Sequence, residues 1–141
     1  MKDKTFIDTN IFVYLFSTEE NKKRDICIDE LDKYLRITST QIFNETSNVW
    51  FKKYNLDANT IKKYLDNIER ICDEVLCIDR KTINYALDLK ARYGYSYYDC
   101  LMLASALESS CDILLTEDMS DGQVIENKLK IVNPFKNGEN L

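Results

Sequence analysis

The chain has 141 residues, a formal charge of −5, no histidine, five cysteines, three glycines and one proline. This length fits a single domain that buries a core without disulfide staples, and so few breakers exclude long linkers and point to a helix-rich fold. The lack of histidine excludes paired-imidazole acid–base chemistry, and the acidic balance counts against general phosphate neutralisation as a way of holding nucleic acid.

Thr5-Phe6-Ile7 is a short β-type run that stops at Asp8-Thr9-Asn10, three turn and helix-cap residues. A short apolar helix fits Ile11 to Phe16, and Glu19 to Lys33 reads as an amphipathic helix. Leu35 to Thr38 alternates as a strand does, and helical spacing returns from Gln41 to Tyr54. Asp57 caps a further helix through Ile61, Leu65 and Ile68. Val75 to Ile78 is a third strand, Asp79 caps the helix after it, and Gly94 ends that helix. Ser96 opens another helix through Leu101, Leu103, Ala104 and Leu107. Ile113-Leu114-Leu115 has the continuous apolar character of a strand buried on both faces. Lys130-Ile131-Val132 gives a last strand. Strands alternating with helices predict an α/β fold with a parallel sheet covered on both sides.

Cys27, Cys72, Cys77, Cys100 and Cys111 form no C-x-x-C pair and read as small buried hydrophobes in a reducing compartment. No signal-like or membrane-spanning apolar run is present, so the expectation is a cytoplasmic protein with no membrane partner. The basic groups Lys22-Lys23-Arg24, Lys52-Lys53, Lys62-Lys63 and Arg80-Lys81 read as solvated helix faces or, alternatively, as parts of a phosphate groove.

Four carboxylates stand where a stable core alone does not want them. Ligands of open α/β sheets bind beyond the carboxyl ends of the strands. Asp8 follows the first strand, and Asp118 follows the Ile113–Leu115 strand. Glu45 shares a helical face with Ile42 and Val49, and Asp99 lies three and four residues before Met102 and Leu103. An acid on an apolar stripe is costly unless paired or bound to a cation. Oxygen ligands without imidazole suit Mg²⁺ or Mn²⁺, and metal-assisted phosphodiester hydrolysis is the chemistry they support best. Each acid has a plainer reading as well. Asp8 can cap a helix, Asp99 can form a capping box with Ser96, Glu45 can pair with a cation, and Asp118 can serve a turn. Thr9, Asn10, Ser96 and Thr116 can orient the acids or merely cap and turn the chain. Asp121 is either a fifth acid or half of an ordinary Asp-Gly turn, and Tyr93, Tyr95, Tyr97 and Tyr98 either stack bases or build core or interface.

Phe6-Ile-Asp8-Thr-Asn10, Gln41-Ile-Phe-Asn-Glu45-Thr46, Tyr98-Asp99-Cys-Leu-Met-Leu-Ala104 and Leu114-Leu-Thr-Glu-Asp118 resemble the successive acidic motifs of PIN domains. The resemblance spans Thr5 to about Phe135, and the compact length with Ile131-Val-Asn-Pro-Phe135 looks like the VapC toxins of bacterial toxin–antitoxin pairs. It implies a three-layer α/β/α fold over residues 1–135 as one domain, with a parallel sheet of four to five strands and a tail at 136–141. It implies an Mg²⁺- or Mn²⁺-dependent endoribonuclease with RNA as substrate, homodimerisation, and inhibition by a small antitoxin whose tail enters the acidic groove. On this likeness Asp8 and Asp99 match the principal metal-ligand positions. Glu45 and Asp118 match the acids that complete the site, and Thr116 matches a frequent hydroxyl neighbour. A DNA or flap nuclease and a catalytically silent binding module are the competing readings.

Overall fold

The computed structural model describes residues 1–136. β1 (Lys4–Ile7) leads into α1 (Thr9–Leu15) and α2 (Asn21–Asp32), β2 (Leu35–Ser39) into α3 (Thr40–Lys52) and α4 (Ala58–Ile71), and β3 (Glu74–Leu76) into α5 (Arg80–Tyr93) and α6 (Tyr97–Glu108). Then come β4 (Ile113–Leu115), β5 (Val124–Ile125) and β6 (Leu129–Val132). The sheet order is β3-β2-β1-β4-β6-β5. Every neighbouring pair is parallel except β5 and β6. Of the tail expected at 136–141, residues 137–141 lie outside the described residues.

The topology follows from handedness. Right-handed crossovers step from β1 to β2 to β3 in one direction, then return to β4 on the far side of β1. That places α1 to α4 on one face and α5 with α6 on the other. The packing agrees: α1 lies on α2 and α3, whereas α5 and α6 pack mainly on each other. Phe6, Ile7, Leu114, Leu115 and Ile131 are all fully buried, as strands covered from both sides must be. Asp57, Asp79 and Ser96 cap α4, α5 and α6 by accepting from the backbone N–H three residues on. Gly94 ends α5 at φ 73°, a left-handed conformation that glycine adopts without steric cost.

Among the described residues the sheet has six strands rather than four to five. The additional one is β5, only two residues long, whose Val124 is half exposed, so it carries neither alternation nor an apolar run. It pairs with β6 through a turn in which Glu126 (φ 51°) and Asn127 (φ 57°) are both left-handed, the mirror-image geometry that suits a tight hairpin. Glu126 is an unusual choice there. It is secured from α5, where Tyr93 Oη accepts from its N–H at 2.9 Å and donates to its carboxylate at 2.9 Å, with Arg92 on the other oxygen. β3 stops at Leu76, short of the expected Ile78, because its partner β2 ends at Ser39. α2 begins at Asn21 rather than Glu19 because Ser17 Oγ accepts from the N–H groups of Glu19 and Glu20, turning the chain first.

Cys27, Cys100 and Cys111 are buried as expected, Cys72 is partly buried, and Cys77 is exposed. Among the described residues no helix is long and apolar enough to cross a membrane. Leu114 sits fully buried in β4 between β1 and β6. Leu114→Ala should destabilise the fold by about 2–5 kcal/mol, read as a lower urea midpoint with little change in m-value.

Candidate active site

β1 and β4 are neighbours, with Ile7 opposite Leu115, and the Asp8 N–H donates to Leu115 O at 3.2 Å. Strand order reverses beside β1, so this pair marks the switch point where an open sheet forms its crevice. Asp8 and Thr116 leave these two strands at the same end. Asp118 follows two residues later, its own N–H bound to Thr116 Oγ1 at 3.2 Å.

Asp8 is only 7% exposed. One carboxylate oxygen caps α1 by accepting from Thr9 N at 2.6 Å, and the other accepts from Thr116 Oγ1 at 2.7 Å. Capping is therefore part of its role but occupies only half of the group. Burial pushes its pKa up to about 6; the Thr116 and Thr9 hydrogen bonds oppose the shift, and the charges of Glu45 and Asp118 add to it.

Glu45 is half buried on α3. Its carboxylate accepts from Thr9 Oγ1 at 2.9 Å and from Gln41 Nε2 at 3.2 Å, and among the described residues no Lys or Arg pairs with it. Asp118 is exposed as a residue, yet Asn10 Nδ2 reaches its carboxylate at 3.2 Å. Partial desolvation, then the charges of Glu117 and Asp99, raise its pKa, while Lys23 works in the opposite direction. Asp99 is half buried near the start of α6. Ser96 Oγ accepts from the Asp99 N–H at 3.2 Å, but among the described residues the return bond of a capping box is not made. The Asp99 side chain is thus not spent on the helix end.

The four acids are linked through their fields: Glu45 and Asp118 act on Asp8, and Asp99 acts on Asp118. None of them lies within ion-pair distance of a Lys or Arg among the described residues. Nor, among those residues, do three acidic or thiol side chains converge closely enough to enclose a cation as they stand. The hydrogen bonds account for this. Asp8, Glu45 and Asp118 each turn toward Thr, Gln or Asn donors, which lowers the cost of crowding like charges. The donor set is still all oxygen, and it fits a hard divalent ion.

Of the supporting residues, Thr9 touches both Asp8 and Glu45, Asn10 touches Asp118, and Thr116 touches Asp8 and the Asp118 backbone. Among the described residues the Ser96 hydroxyl meets the backbone of Asp99 rather than its carboxylate. Asp121 accepts from Asn133 N at 2.8 Å and pairs with Lys136, holding the turn at Gly122 onto the segment after β6.

Sequence reasoning missed a second layer. Asn10 Nδ2 also donates to Glu117 at 3.0 Å, and Tyr14 Oη donates to the same carboxylate at 2.6 Å. Lys23 Nζ pairs with Glu117 at 3.4 Å and lies 4.6 Å from the centre of the Tyr14 ring. Burial, then the Glu117 hydrogen bond, push the Tyr14 hydroxyl up to about 12, so it donates throughout the physiological range. Gln41 was also missed, although its i,i+4 spacing to Glu45 was available as a signal. Of the basic clusters, Lys52-Lys53, Lys62-Lys63 and Arg80-Lys81 are solvated, and Lys23 alone reaches this network.

A doubly wound, mostly parallel sheet with acidic residues near its switch point defines an α/β protein. More particularly, the chain belongs to the PIN domain family, whose model matches residues 5–120 and so includes all four acids. No curated protein sequence matches the chain significantly. Among solved structures it is similar to a toxin–antitoxin complex from Klebsiella pneumoniae, at 22% identity and a TM-score of 0.68, over 93% of this chain and 98% of that one. It is also similar to VapC20 of Mycobacterium tuberculosis, described as a sarcin–ricin loop cleaving toxin (14% identity, TM-score 0.64, 79% of this chain and 87% of that one). VapBC2 from Rickettsia felis, bound to promoter DNA, gives 15% identity and a TM-score of 0.63 over 92% and 98%. At these identities the likeness is one of fold.

Asp8 gives a test that needs no substrate. A carboxyl whose pKa is raised on folding binds more protons in the native state, so stability falls as pH rises from about 4 to about 6. With chelator present, Asp8→Asn should therefore be more stable than wild type at pH 8, by up to about 3 kcal/mol, and should lose that advantage near pH 4. Urea titrations at the two pH values measure the difference.

Proposed function

We propose that the protein is a metal-dependent endoribonuclease, the toxin of a toxin–antitoxin pair, with Asp8, Glu45, Asp99 and Asp118 as its active site. The observation that carries this reading is the set of four electrostatically linked carboxylates at the switch point, none of them paired with a cation among the described residues. A cluster serving stability alone would pair its charges. Family membership and the toxin neighbours support the same reading.

Asp8 and Asp99 would hold the ion, with Glu45 and Asp118 completing the site directly or through water. A bound Mg²⁺ or Mn²⁺ supplies a water of lowered pKa and stabilises charge building on the phosphoryl oxygens. The chain's own contribution is placement. Thr116 and Thr9 fix both oxygens of Asp8, Thr9 and Gln41 fix those of Glu45, and Asn10 aims Asp118. Thr9 donates its N–H to one acid and its hydroxyl to another, which sets their spacing.

The same reading makes residues 1–135 one domain of a cytoplasmic homodimer. Its partner is a small antitoxin whose tail enters the acidic groove, in keeping with the toxin–antitoxin complexes among its structural neighbours. A DNA substrate ranks below RNA because the connections between the described elements are too short to form a clamp or arch.

Purified protein with Mg²⁺ or Mn²⁺ should cut structured RNA to 5′-phosphate and 3′-hydroxyl ends, and EDTA should stop it. Losing a metal-holding acid removes several kcal/mol of transition-state stabilisation. Asp99→Asn should therefore slow cleavage by about a hundredfold or more while its far-UV spectrum and urea midpoint stay close to wild type. Native-rate cleavage by that variant would falsify the site assignment. Calorimetric titration that finds no Mn²⁺ binding at millimolar concentration would favour a silent binding module instead.

A further inference from the structure

We infer that the groove between α3 and the start of α6 is a subsite for one unstacked nucleobase of the strand being cut, with Tyr98 as its stacking platform. This rests on the nuclease reading. The groove encloses about 520 Å³ and is lined by Thr40, Gln41, Asn44, Glu45, Asn48, Ile78, Tyr98 and Leu101. That volume lies in the range of small-molecule sites, about 300–1,000 Å³. Glu45 belongs both to the groove and to the acidic site, so whatever fills one lies against the other.

The lining chemistry selects the occupant. No Lys or Arg lines the groove, so a phosphate would meet only Glu45 and neutral groups. Asn44 and Asn48 stand one helical turn apart on the exposed side of α3. No hydrogen bond ties up either side-chain amide among the described residues, and amides of this kind match the paired donor and acceptor edge of a base. Ile78 and Leu101 supply an apolar floor. Tyr98 is 64% exposed, and its ring stands against Tyr97 with centroids 5.4 Å apart at 64°. A large aromatic left in water beside unpaired amides suits a flat, neutral, polar-edged ligand.

Gln41 fixes the geometry. It is 7% exposed, and its Nε2 donates to Tyr98 O at 2.8 Å and to Glu45 at 3.2 Å. One buried amide thus joins both walls of the groove to an acid of the site. Its Oε1 is buried and has no partner among the described residues, so this amide is held from its donor side alone.

The test uses an uncharged probe, which separates the base from phosphate and metal. Saturation-transfer NMR with adenosine, and in parallel cytidine, is run in EDTA on the full chain, with inorganic phosphate as a control. Nucleoside binding should transfer saturation to the base protons, while phosphate leaves the Tyr98 and Leu101 resonances unmoved. Tyr98→Ala should weaken nucleoside binding and raise KM for RNA by about fivefold or more at little change in kcat, and Tyr98→Phe should retain both. Absence of nucleoside binding at millimolar concentration overturns the proposal, as does equal behaviour of Tyr98→Ala and wild type. A Tyr98→Ala protein that changes oligomeric state by light scattering also overturns it, because the groove is then a protein interface. Nucleoside binding without RNA cleavage would sink the nuclease reading and leave the subsite standing. Cleavage with unchanged KM in Tyr98→Ala would do the reverse.

Discussion

Like charges brought together at the edge of an apolar sheet must be held against their own repulsion. Here a few neutral donors do it. Thr116 and Thr9 take up the two oxygens of Asp8, Thr9 and Gln41 take up those of Glu45, and Asn10 reaches Asp118. Neutral donors lower the cost of a carboxylate without cancelling its charge. A salt bridge would cancel that charge. The raised pKa of Asp8 is the residue of that compromise: the fold tolerates a partly destabilised acid at its centre.

Around this inner ring lies an outer one of a different kind. Glu117 is next in sequence to Asp118 but is compensated by Lys23 and held by Tyr14 and Asn10. Two adjacent acids therefore have opposite fates, one neutralised and one left open. Asn10 donates to both, so the neutralised acid positions the amide that positions the open one. Phe135 packs edge-on against Tyr14, with ring centroids 5.3 Å apart, tying the segment after β6 into the same network.

Much of this was legible because burial and period leave marks in sequence. Apolar runs ending in Asp8 and before Asp118 gave two strands with acids at their carboxyl ends, and the sheet does place them side by side. Glu45 among Ile42 and Val49, and Asp99 before Met102 and Leu103, were visible as interruptions of a stripe. What escaped notice had no such mark. β5 is two residues paired across a turn with left-handed Glu126, which Tyr93 and Arg92 hold from a distant helix. Lys23 looked like one more surface charge because nothing local shows α2 laying it over Tyr14. Glu117 stands beside Asp118 in the same motif, and nothing in the sequence separates their roles.

The central strand of the sheet is the first to be made, and its neighbour on one side is among the last. Asp8 and the hydroxyl that fixes it, Thr116, are 108 residues apart in sequence. Thr9 and Glu45 are separated by only 36. During synthesis β1 and β2 can pair while β4 is still absent, and Asp8 then lacks both its donor and its companion Asp118. The arrangement is complete only when β4 and the Thr116–Asp118 segment after it have joined β1. A chain truncated before β4 therefore carries Asp8, Glu45 and Asp99 without Asp118 and without the hydroxyl that fixes Asp8.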